Sequence, residues 1–302
     1  MKTIFRLFVA LAMLTMVVGC GSKERASEAK YVVMIGLDGL AGNLVEAAEM
    51  PTLKHLMAEG AWTLQARSIL PSSSACNWAS VYMGVGPEMH GYNTWGSRVP
   101  DFPSIELGEN DIFPTIFTVL RRANAEYDLA AFYEWEVHGD LIDRSAATHY
   151  QHIPMGDTVG QAITEAYVAY LKEHKPEFSL CIYDSPDVEG HEHGWGSEPY
   201  MSRLESADRQ IATIIEATKE AGTYDDTIFI VLSDHGGINK GHGSTSMAEM
   251  EAPLIFFGKG IKKGHQIRSS VVRYDTAPTI ARIFGAEVPE VWRGRPIEEI
   301  FE

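Results

Sequence analysis

The sequence contains few cysteines and few basic residues, and both shortages exclude broad classes of protein. Only 3 of its 302 residues are cysteine, which is too few for a scaffold held together by disulfides. Lys and Arg number 25 against 41 Asp and Glu, so the formal net charge at pH 7 is -16. Proteins that bind a nucleic-acid polymer need clustered positive charge against its phosphates. We therefore expect no nucleic-acid polymer as a partner.

Long hydrophobic runs are also absent, apart from one at the amino terminus. Residues 7–18 form an apolar stretch after a short basic start that contains Lys2 and Arg6. The stretch is too short to span a bilayer comfortably and is typical of a secretory signal. It leads into Gly19-Cys20, which resembles the lipobox of bacterial lipoproteins and implies lipid attachment at Cys20. An ordinary signal peptide with a chance cysteine is the alternative.

Three regions follow from this interpretation. We predict a lipoprotein signal peptide at 1–19, a polar linker at 20–29 that starts at the lipidated Cys20, and a single domain at 30–302. The mature protein is then expected in the bacterial cell envelope, anchored by lipid at the outer membrane or the periplasmic face. The oligomeric state stays open, as does any pairing of Cys76 with Cys181.

Short apolar segments alternate with amphipathic stretches in the body of the chain. Continuous apolar runs predict buried strands at 31–37, 178–183, 227–232 and 254–257. Apolar residues at helical spacing predict helices over about 158–173, 204–215 and 276–284. This alternation is typical of the α/β class, with a mainly parallel central sheet and helices on both faces.

Acidic and histidine side chains follow three of the predicted strands. Because the carboxyl ends of parallel strands meet at one edge of a sheet, these side chains are expected to converge there. The converging set is Asp38, Asp187, His191, Asp234, His235 and His242. Mixed oxygen and nitrogen ligands favour zinc over magnesium or calcium, and six ligands are sufficient for two ions. Two neighbouring ions are the usual clamp for in-line displacement at phosphorus.

A hydroxyl-rich loop at 70–78 supplies candidate nucleophiles, and Ser72, Ser73 and Ser74 are all available from the residues alone. The loop precedes a predicted helix start, where free backbone N–H groups bind anions. Metal coordination can ionise a serine hydroxyl, so no separate general base is required.

Seven short motifs in order resemble the type I phosphodiesterase/nucleotide pyrophosphatase family of the alkaline phosphatase superfamily. They are Gly36-Leu-Asp-Gly39, the loop 71–77, Gly86-Pro-Glu-Met-His-Gly91, Pro186-Asp-Val-Glu-Gly-His191, Ser233-Asp-His-Gly236, Lys240-Gly-His-Gly243 and Tyr274-Asp-Thr-Ala-Pro-Thr279. The resemblance covers the body from Val32 to about Pro296 and implies an alkaline-phosphatase-like catalytic domain. The familiar Pro-Asn-His after the nucleophile is here Cys76-Asn77-Trp78, and no substrate-capping insert separates His235 from His242.

The resemblance also implies a role for each matching residue. One zinc ion would be held by Asp38, Ser74, Asp234 and His235, and the other by Asp187, His191 and His242. Ser74 would be the nucleophile, and Asn77, together with the N–H of Ala75, would stabilise the phosphoryl oxygens. Mn²⁺ or another divalent ion is the alternative to two Zn²⁺. His193 is expected to be exposed or to support the ligands from behind, with replacement of a ligand as the minor alternative.

The implied reaction is hydrolysis of a small phosphate ester through a phosphoryl-Ser74 intermediate. Two Zn²⁺, three aspartates and the alkoxide sum to a neutral site, which accepts a diester monoanion more easily than a monoester dianion. Lys240 is the nearby residue that could add a cation for a monoester. A phosphomonoesterase or a phosphonate hydrolase would use the same residues, and a non-catalytic, zinc-binding surface lipoprotein is the alternative outside the enzymes.

Overall fold

A computed structural model describes residues 25–156 and 158–302, and within them eight strands form one sheet. The strands are β1 (Tyr31–Leu37), β2 (Ala61–Arg67), β3 (Leu129–Tyr133), β4 (His149–His152), β5 (Phe178–Tyr183), β6 (Thr227–Leu232), β7 (Glu251–Gly258) and β8 (His265–Gln266). The predicted signal peptide 1–19 and the lipidation site Cys20 lie outside the described residues.

Ten α-helices connect and cover these strands in the part of the chain that the structure describes. They are α1 (Pro51–Ala58), α2 (Ser74–Met83), α3 (Pro87–His90), α4 (Ile116–Ala123), α5 (His138–Leu141), α6 (Gln161–His174), α7 (Asp187–His193), α8 (Glu198–Ala221), α9 (Met247–Met250) and α10 (Thr276–Phe284). None of the helices within the described ranges is long and apolar enough to cross a membrane.

The sheet is mixed but mostly parallel, in the order β4-β3-β5-β1-β6-β7-β2-β8. Strand β7 runs antiparallel to both of its neighbours, and the other pairings are parallel. The three strands that precede the candidate site residues, β5, β1 and β6, are adjacent at the centre. Their carboxyl ends therefore meet at one edge, which is where parallel sheets bind ligands.

Both faces of the central strands are buried, as their continuous apolar sequences require. Because side chains alternate between the faces of a strand, Val32 and Met34 of β1 pack with Trp78 of α2 on one side. Val33 and Ile35 belong to the other core, which includes Ile211 of α8. Helices thus cover the two faces of the sheet, and the predicted fold class is confirmed.

The sequence-based boundaries agree closely with the structure at the centre and less well at the margins. Three predicted strands coincide with β1, β5 and β6, and the last predicted helix coincides with α10. The segment predicted at 254–257 is longer than expected and antiparallel, as β7. Strands β2, β3, β4 and β8 were not predicted. The polar, largely exposed β4 carries no apolar pattern that would indicate a strand.

A buried arginine ties three strands together beneath the candidate site. The Arg273 guanidinium donates to the carbonyl oxygens of Ala252 (2.7 Å) and Ala66 (2.9 Å), and also to those of Ser233 and Pro253. These carbonyls belong to β2, to β7 and to the residue that follows β6. Because Ser233 immediately precedes Asp234, Arg273 helps to fix the backbone from which a predicted metal ligand projects.

The two cysteines within the described residues, Cys76 and Cys181, are both buried and free. Cys76 lies in α2 and Cys181 in β5. The question of their pairing is thereby answered for this structure, in which each packs as a small core residue.

Candidate active site

The structure brings the carboxylates predicted to converge to one edge of the sheet. Asp38 directly follows β1, Asp187 begins α7 after β5, and Asp234 follows β6 by two residues. The backbone N–H of Asp187 donates to the carbonyl oxygen of Asp38 at 3.0 Å, which joins two of these turns.

One group of metal-ligand type consists of Asp187, His191 and His242, whose ligand atoms lie within 4.8 Å of one another. One turn of α7 places Asp187 and His191 on the same face, with Oδ2 and Nε2 3.4 Å apart. The Nε2 atoms of His191 and His242 are separated by 3.0 Å. This is the ligand set that the sequence predicted for one of the two ions.

The second group lies beside the first around His235, and Asp187 belongs to both groups. Nε2 of His235 is 3.2 Å from Oδ2 of Asp234 and 3.5 Å from Oδ1 of Asp38. The Ser74 hydroxyl oxygen lies 3.1 Å from the same nitrogen and 3.4 Å from Oδ1 of Asp38. All four predicted ligands of the other ion are therefore neighbours.

The three histidines share one hydrogen-bonding arrangement that leaves Nε2 free to coordinate. Nδ1 of His191, His235 and His242 lies 3.0, 2.8 and 2.8 Å from a backbone carbonyl oxygen, respectively. A carbonyl only accepts, so each Nδ1 must carry the proton and each Nε2 must present a lone pair. Two such lone pairs 3.0 Å apart repel each other unless a cation lies between them, which fits a metal site.

The three carboxylates have raised pKa values, as is expected of negative charges clustered where a cation would bind. Burial, followed by the charges of Asp234 and Asp187, holds the pKa of Asp38 well above its usual value. Burial also raises the pKa of Asp187 strongly and that of Asp234 to about 7. Oδ1 of Asp187 and Oδ2 of Asp234 are buried without a hydrogen-bond donor. Divalent ions would satisfy these atoms and offset the repulsion.

Ser74 occupies the first turn of α2 at the base of a cavity of about 750 Å³. The cavity is lined by Ser73, Ser74, Trp95, Trp135, Asp184, Asp187, Val188, His191, Glu192 and His242. Trp95, Trp135 and Glu192 were not singled out from the sequence. An aromatic side chain in a loop carries no signal that distinguishes a cavity wall from ordinary packing.

Asn77 and Ala75 both make contacts within their own part of the fold. The Asn77 side chain accepts from the N–H of Ile69 at 2.8 Å and donates to the carbonyl oxygens of Pro71 and Ser73. The N–H of Ala75 donates to the carbonyl oxygen of Trp95 at 3.1 Å. In this arrangement Asn77 holds the conformation of the hydroxyl-rich loop at 70–78, referred to below as the nucleophile loop. A contact of Asn77 with a phosphoryl oxygen stays a prediction.

Trp78 contacts a predicted metal ligand directly, and sequence reasoning missed this contact. Its indole Nε1–H donates to Oδ2 of Asp38 at 2.8 Å, and the side chain is fully buried. Gly36 makes room for the ring, because a Cβ there would lie 2.5 Å from Cη2 of Trp78. A donor on the outer oxygen of a ligating carboxylate orients the oxygen that faces the ion.

Gly39 allows the chain to turn tightly between two ligand groups. Its φ of +71° lies in the left-handed region, and an added Cβ would approach Asp187 to 2.8 Å. Its N–H donates to Oδ1 of Asp234 at 3.2 Å. Its carbonyl accepts from Trp195 and Tyr200, each at 2.9 Å. A side chain at this position would therefore displace at least one ligand.

Two other residues weighed from the sequence lie away from this arrangement. His193 is exposed, with Nε2 3.7 Å from the Glu192 carboxylate, and belongs to neither metal-ligand group. Lys240 directs its ammonium to the carbonyl oxygen of Glu192 at 2.7 Å. It is not among the residues that line the cavity.

Solved structures of other proteins share this fold. Murine ectonucleotide pyrophosphatase/phosphodiesterase 5, as an inactive variant in complex with AMP, aligns with a TM-score of 0.73 and 14% identity. The alignment covers 90% of this chain and 100% of that one. A phosphonate monoester hydrolase from Silicibacter pomeroyi aligns with a TM-score of 0.68 and 17% identity, over 88% and 75% of the two chains. The fold is alkaline-phosphatase-like.

The sequence narrows the class to a family. Residues 32–244 match the model of the type I phosphodiesterase/nucleotide pyrophosphatase family, and the chain belongs to it. A venom phosphodiesterase of Crotalus durissus collilineatus is 23% identical over 218 residues, which are 69% of this chain and 26% of the relative. A bis(5′-adenosyl)-triphosphatase of Mus musculus is 23% identical over 233 residues, covering 73% and 50%. This chain therefore spans between a quarter and a half of these relatives. The family resemblance is confirmed.

Replacing Trp78 by Phe tests its contact with Asp38. The variant keeps an aromatic ring but removes the N–H donor, so we expect zinc affinity to fall by roughly ten-fold. Competition with a chromophoric chelator measures this affinity independently of turnover. Trp62→Phe, which shortens a half-buried tryptophan in β2, is the matched control. Equal affinities for the two variants would contradict the assignment.

Removing the metal should make stability depend on pH in a defined direction. Burial raises the pKa of Asp234 to about 7 in the folded, metal-free protein, from the usual 3.8 that applies in the unfolded chain. The folded state keeps a proton on Asp234 that the unfolded chain has lost between these values, so the contribution of Asp234 to the free energy of unfolding should fall as pH rises. Urea unfolding in chelator, at intervals from pH 4.5 to 7.5, measures the slope. Asp234→Asn removes this contribution, so the free energy of unfolding should fall more steeply with pH, or rise less, in the parent than in the variant; identical slopes for the two proteins would refute the explanation.

Proposed function

We propose that this protein is a hydrolase of phosphate esters that acts on phosphodiester or nucleotide pyrophosphate bonds. Membership of the family and the ligand groups at the sheet edge support this proposal. The mixed oxygen and imidazole ligand set favours two Zn²⁺ ions, with Mn²⁺ or another divalent ion as the alternative. The first ion would be held by Asp38, Ser74, Asp234 and His235, and the second by Asp187, His191 and His242.

The position of Ser74 carries this proposal. Its hydroxyl lies within 3.1–3.4 Å of His235 and Asp38 at the start of α2, and it faces the open cavity. The amino terminus of a helix favours negative charge nearby. A serine with these surroundings is suited to attack phosphorus as the alkoxide. The Oγ–P bond would form as the bond from phosphorus to the leaving oxygen breaks, and water would then hydrolyse the phosphoryl-Ser74 ester.

The surrounding residues would keep this geometry through both steps. Two divalent ions would supply Lewis-acid stabilisation of the attacking and leaving oxygens. Trp78 holds Asp38 in place, and backbone carbonyls hold the three imidazoles with Nε2 turned inward. Asn77 keeps the nucleophile loop in shape, so the Ser74 hydroxyl does not have to be positioned during reaction.

Charge balance favours a diester over a monoester. The +4 charge of two divalent ions is balanced by Asp38, Asp187, Asp234 and the Ser74 alkoxide. No positive charge is then left over for the second negative charge that a phosphate monoester carries. Lys240 does not supply it from within the cavity, because it does not line the cavity and its ammonium contacts the Glu192 carbonyl oxygen. A phosphonate monoester has one anionic oxygen like a diester, so phosphonate hydrolysis is the nearest alternative reaction.

Ser74→Ala tests the nucleophile. We expect turnover of bis-p-nitrophenyl phosphate to fall by about a thousand-fold or more, because the covalent path is lost. Zinc content, measured by mass spectrometry of the purified protein, should stay near that of the parent. Ser73→Ala removes the neighbouring hydroxyl and separates the two candidates. A Ser74→Ala protein with full activity would show that the nucleophile lies elsewhere.

The charge argument predicts a substrate order. Bis-p-nitrophenyl phosphate should show a higher kcat/KM than p-nitrophenyl phosphate, although both release the same leaving group. Steady-state kinetics of the zinc-loaded protein at pH 8 give this ratio directly. A faster reaction with the monoester would identify a phosphomonoesterase. No reaction with any ester, including phosphonate esters, would support a non-catalytic, zinc-binding protein.

We also propose that the protein is attached to the bacterial cell envelope by lipid at Cys20. The proposal is supported by the basic start, the apolar stretch 7–18 and the Gly19-Cys20 pair in the sequence. Its partners would then be a membrane, through the anchor, and a small phosphate ester at the catalytic site. Metabolic labelling with a palmitate analogue, compared with Cys20→Ala, tests the attachment.

A further inference from the structure

A second cavity lies between helices α6 and α8 and is separate from the one above Ser74. Its volume is about 760 Å³, and the two cavities have no lining residue in common among those that the structure describes. The first turns of α6, one face of α8 and Glu189 of α7 form its walls. The proposed hydrolysis uses none of these residues, so the cavity calls for an explanation of its own.

Arg203 is a buried guanidinium in the wall of this cavity. It is 6% exposed, and its two hydrogen bonds within the described residues reach neutral acceptors. These are the carbonyl oxygen of Val159 at 3.3 Å and Oε1 of Gln210 at 2.9 Å. Its Nε is buried without an acceptor. Burial lowers the pKa of Arg203, and the charges of Glu189 and Glu134 offset part of this effect.

Glu189 is the second group in the cavity wall that lacks a partner. Its Oε2 is buried without a hydrogen-bond donor. In sequence it lies between the predicted metal ligands Asp187 and His191, but it lines the cavity between α6 and α8. Nε of Arg203 and Oε2 of Glu189 do not bond to each other, since both lack a partner. The cavity therefore presents one unmatched donor and one unmatched acceptor of opposite charge.

These two groups limit the charge of a ligand. An anion would be attracted by Arg203 but repelled by Glu189, and a cation would be attracted by Glu189 but repelled by Arg203. Water or an alcohol could supply both hydrogen bonds but would leave both charges unbalanced. A zwitterion can direct its negative group to the guanidinium and its positive group to the carboxylate. Hydrogen bonds between charged groups are also stronger than those between neutral groups.

The rest of the wall suits a small polar ligand. Thr158, Ser202 and Ser206 contribute hydroxyl groups, which both donate and accept hydrogen bonds. Among the described lining residues only Val159 and Pro199 are apolar, and none is aromatic. A nucleobase would therefore find no ring to stack on, and a large hydrophobic group would gain little.

We propose that the cavity between α6 and α8 binds a free α-amino acid with a polar side chain. The carboxylate of the amino acid would accept from Nε of Arg203, and its ammonium would donate to Oε2 of Glu189. Because Glu189 belongs to the same helix as two predicted metal ligands, the bound amino acid would add a contact to that helix. The inference does not depend on the proposed hydrolysis, since it concerns different residues.

Three small molecules that share one amide group test the inference. L-Asparagine carries both charges, succinamate lacks the ammonium, and β-alaninamide lacks the carboxylate. We expect L-asparagine to bind the purified protein about ten-fold more tightly than either of the other two. Calorimetry measures the three affinities with the zinc-loaded protein. Repeating the titrations in EDTA excludes chelation of zinc by the amino acid as the source of the heat.

Two variants assign the binding to the unmatched groups. Glu189→Gln should weaken the binding of L-asparagine roughly ten-fold but strengthen that of succinamate, because the repelling charge is lost. Arg203→Gln should likewise weaken the binding of L-asparagine and strengthen that of β-alaninamide. Glu205→Gln changes a partly exposed residue of α8 that does not line the cavity, and it should keep the parent affinities. Glu189 is also partly exposed, so its variant decides the matter if Arg203→Gln fails to fold.

The inference can be overturned independently of the enzyme. Equal affinities for the three molecules, or no measurable binding of L-asparagine, would reject the amino-acid site. A loss of L-asparagine binding in Glu205→Gln as large as that in Glu189→Gln would also reject it. Hydrolysis of bis-p-nitrophenyl phosphate by the same preparations is a separate measurement, and its outcome decides only the proposed function.

Discussion

The mutual repulsion of buried aspartates at the edge of the sheet is the constraint around which the structure is organised. Asp38, Asp187 and Asp234 are held together by the ends of three adjacent strands, where burial limits the screening of their charges by water. In the absence of bound cations such a cluster keeps protons that free aspartates would release. The clustered carboxylates therefore destabilise the metal-free fold, and binding of cations between them removes this destabilisation.

The residues around the cluster fix the positions of the ligand atoms despite this repulsion. The carbonyl contacts of the three histidines select one tautomer, Trp78 holds the outer oxygen of Asp38, and Gly39 lets the turns approach closely. Arg273 donates hydrogen bonds to backbone carbonyl oxygens of the neighbouring strands β2 and β7 and so holds these strands together. None of these groups needs to touch a substrate, yet each limits how far a ligand atom can move.

The centre of the fold could be predicted from the sequence because burial on both faces imposes an unmistakable pattern. β1, β5 and β6 are uninterrupted apolar runs, each followed by acidic residues that lie where the run ends. Marginal strands such as β4 lack that pattern, because an exposed edge tolerates polar side chains. The candidate ligands were predictable by type and spacing. The hydrogen bond of Trp78 to Asp38 and that of Lys240 to the Glu192 carbonyl could not be predicted. Both depend on side-chain directions that tertiary packing decides.

The chain enters the described fold at the edge opposite the cavity. The N–H of Ala26 donates to the carbonyl of Arg282, and the Arg25 guanidinium donates to the hydroxyl of Tyr127, just before β3. The seven residues of β1 then carry the backbone roughly 23 Å to Asp38. The strand thus separates the point where the chain enters the described fold from the edge of the sheet that carries the candidate ligands.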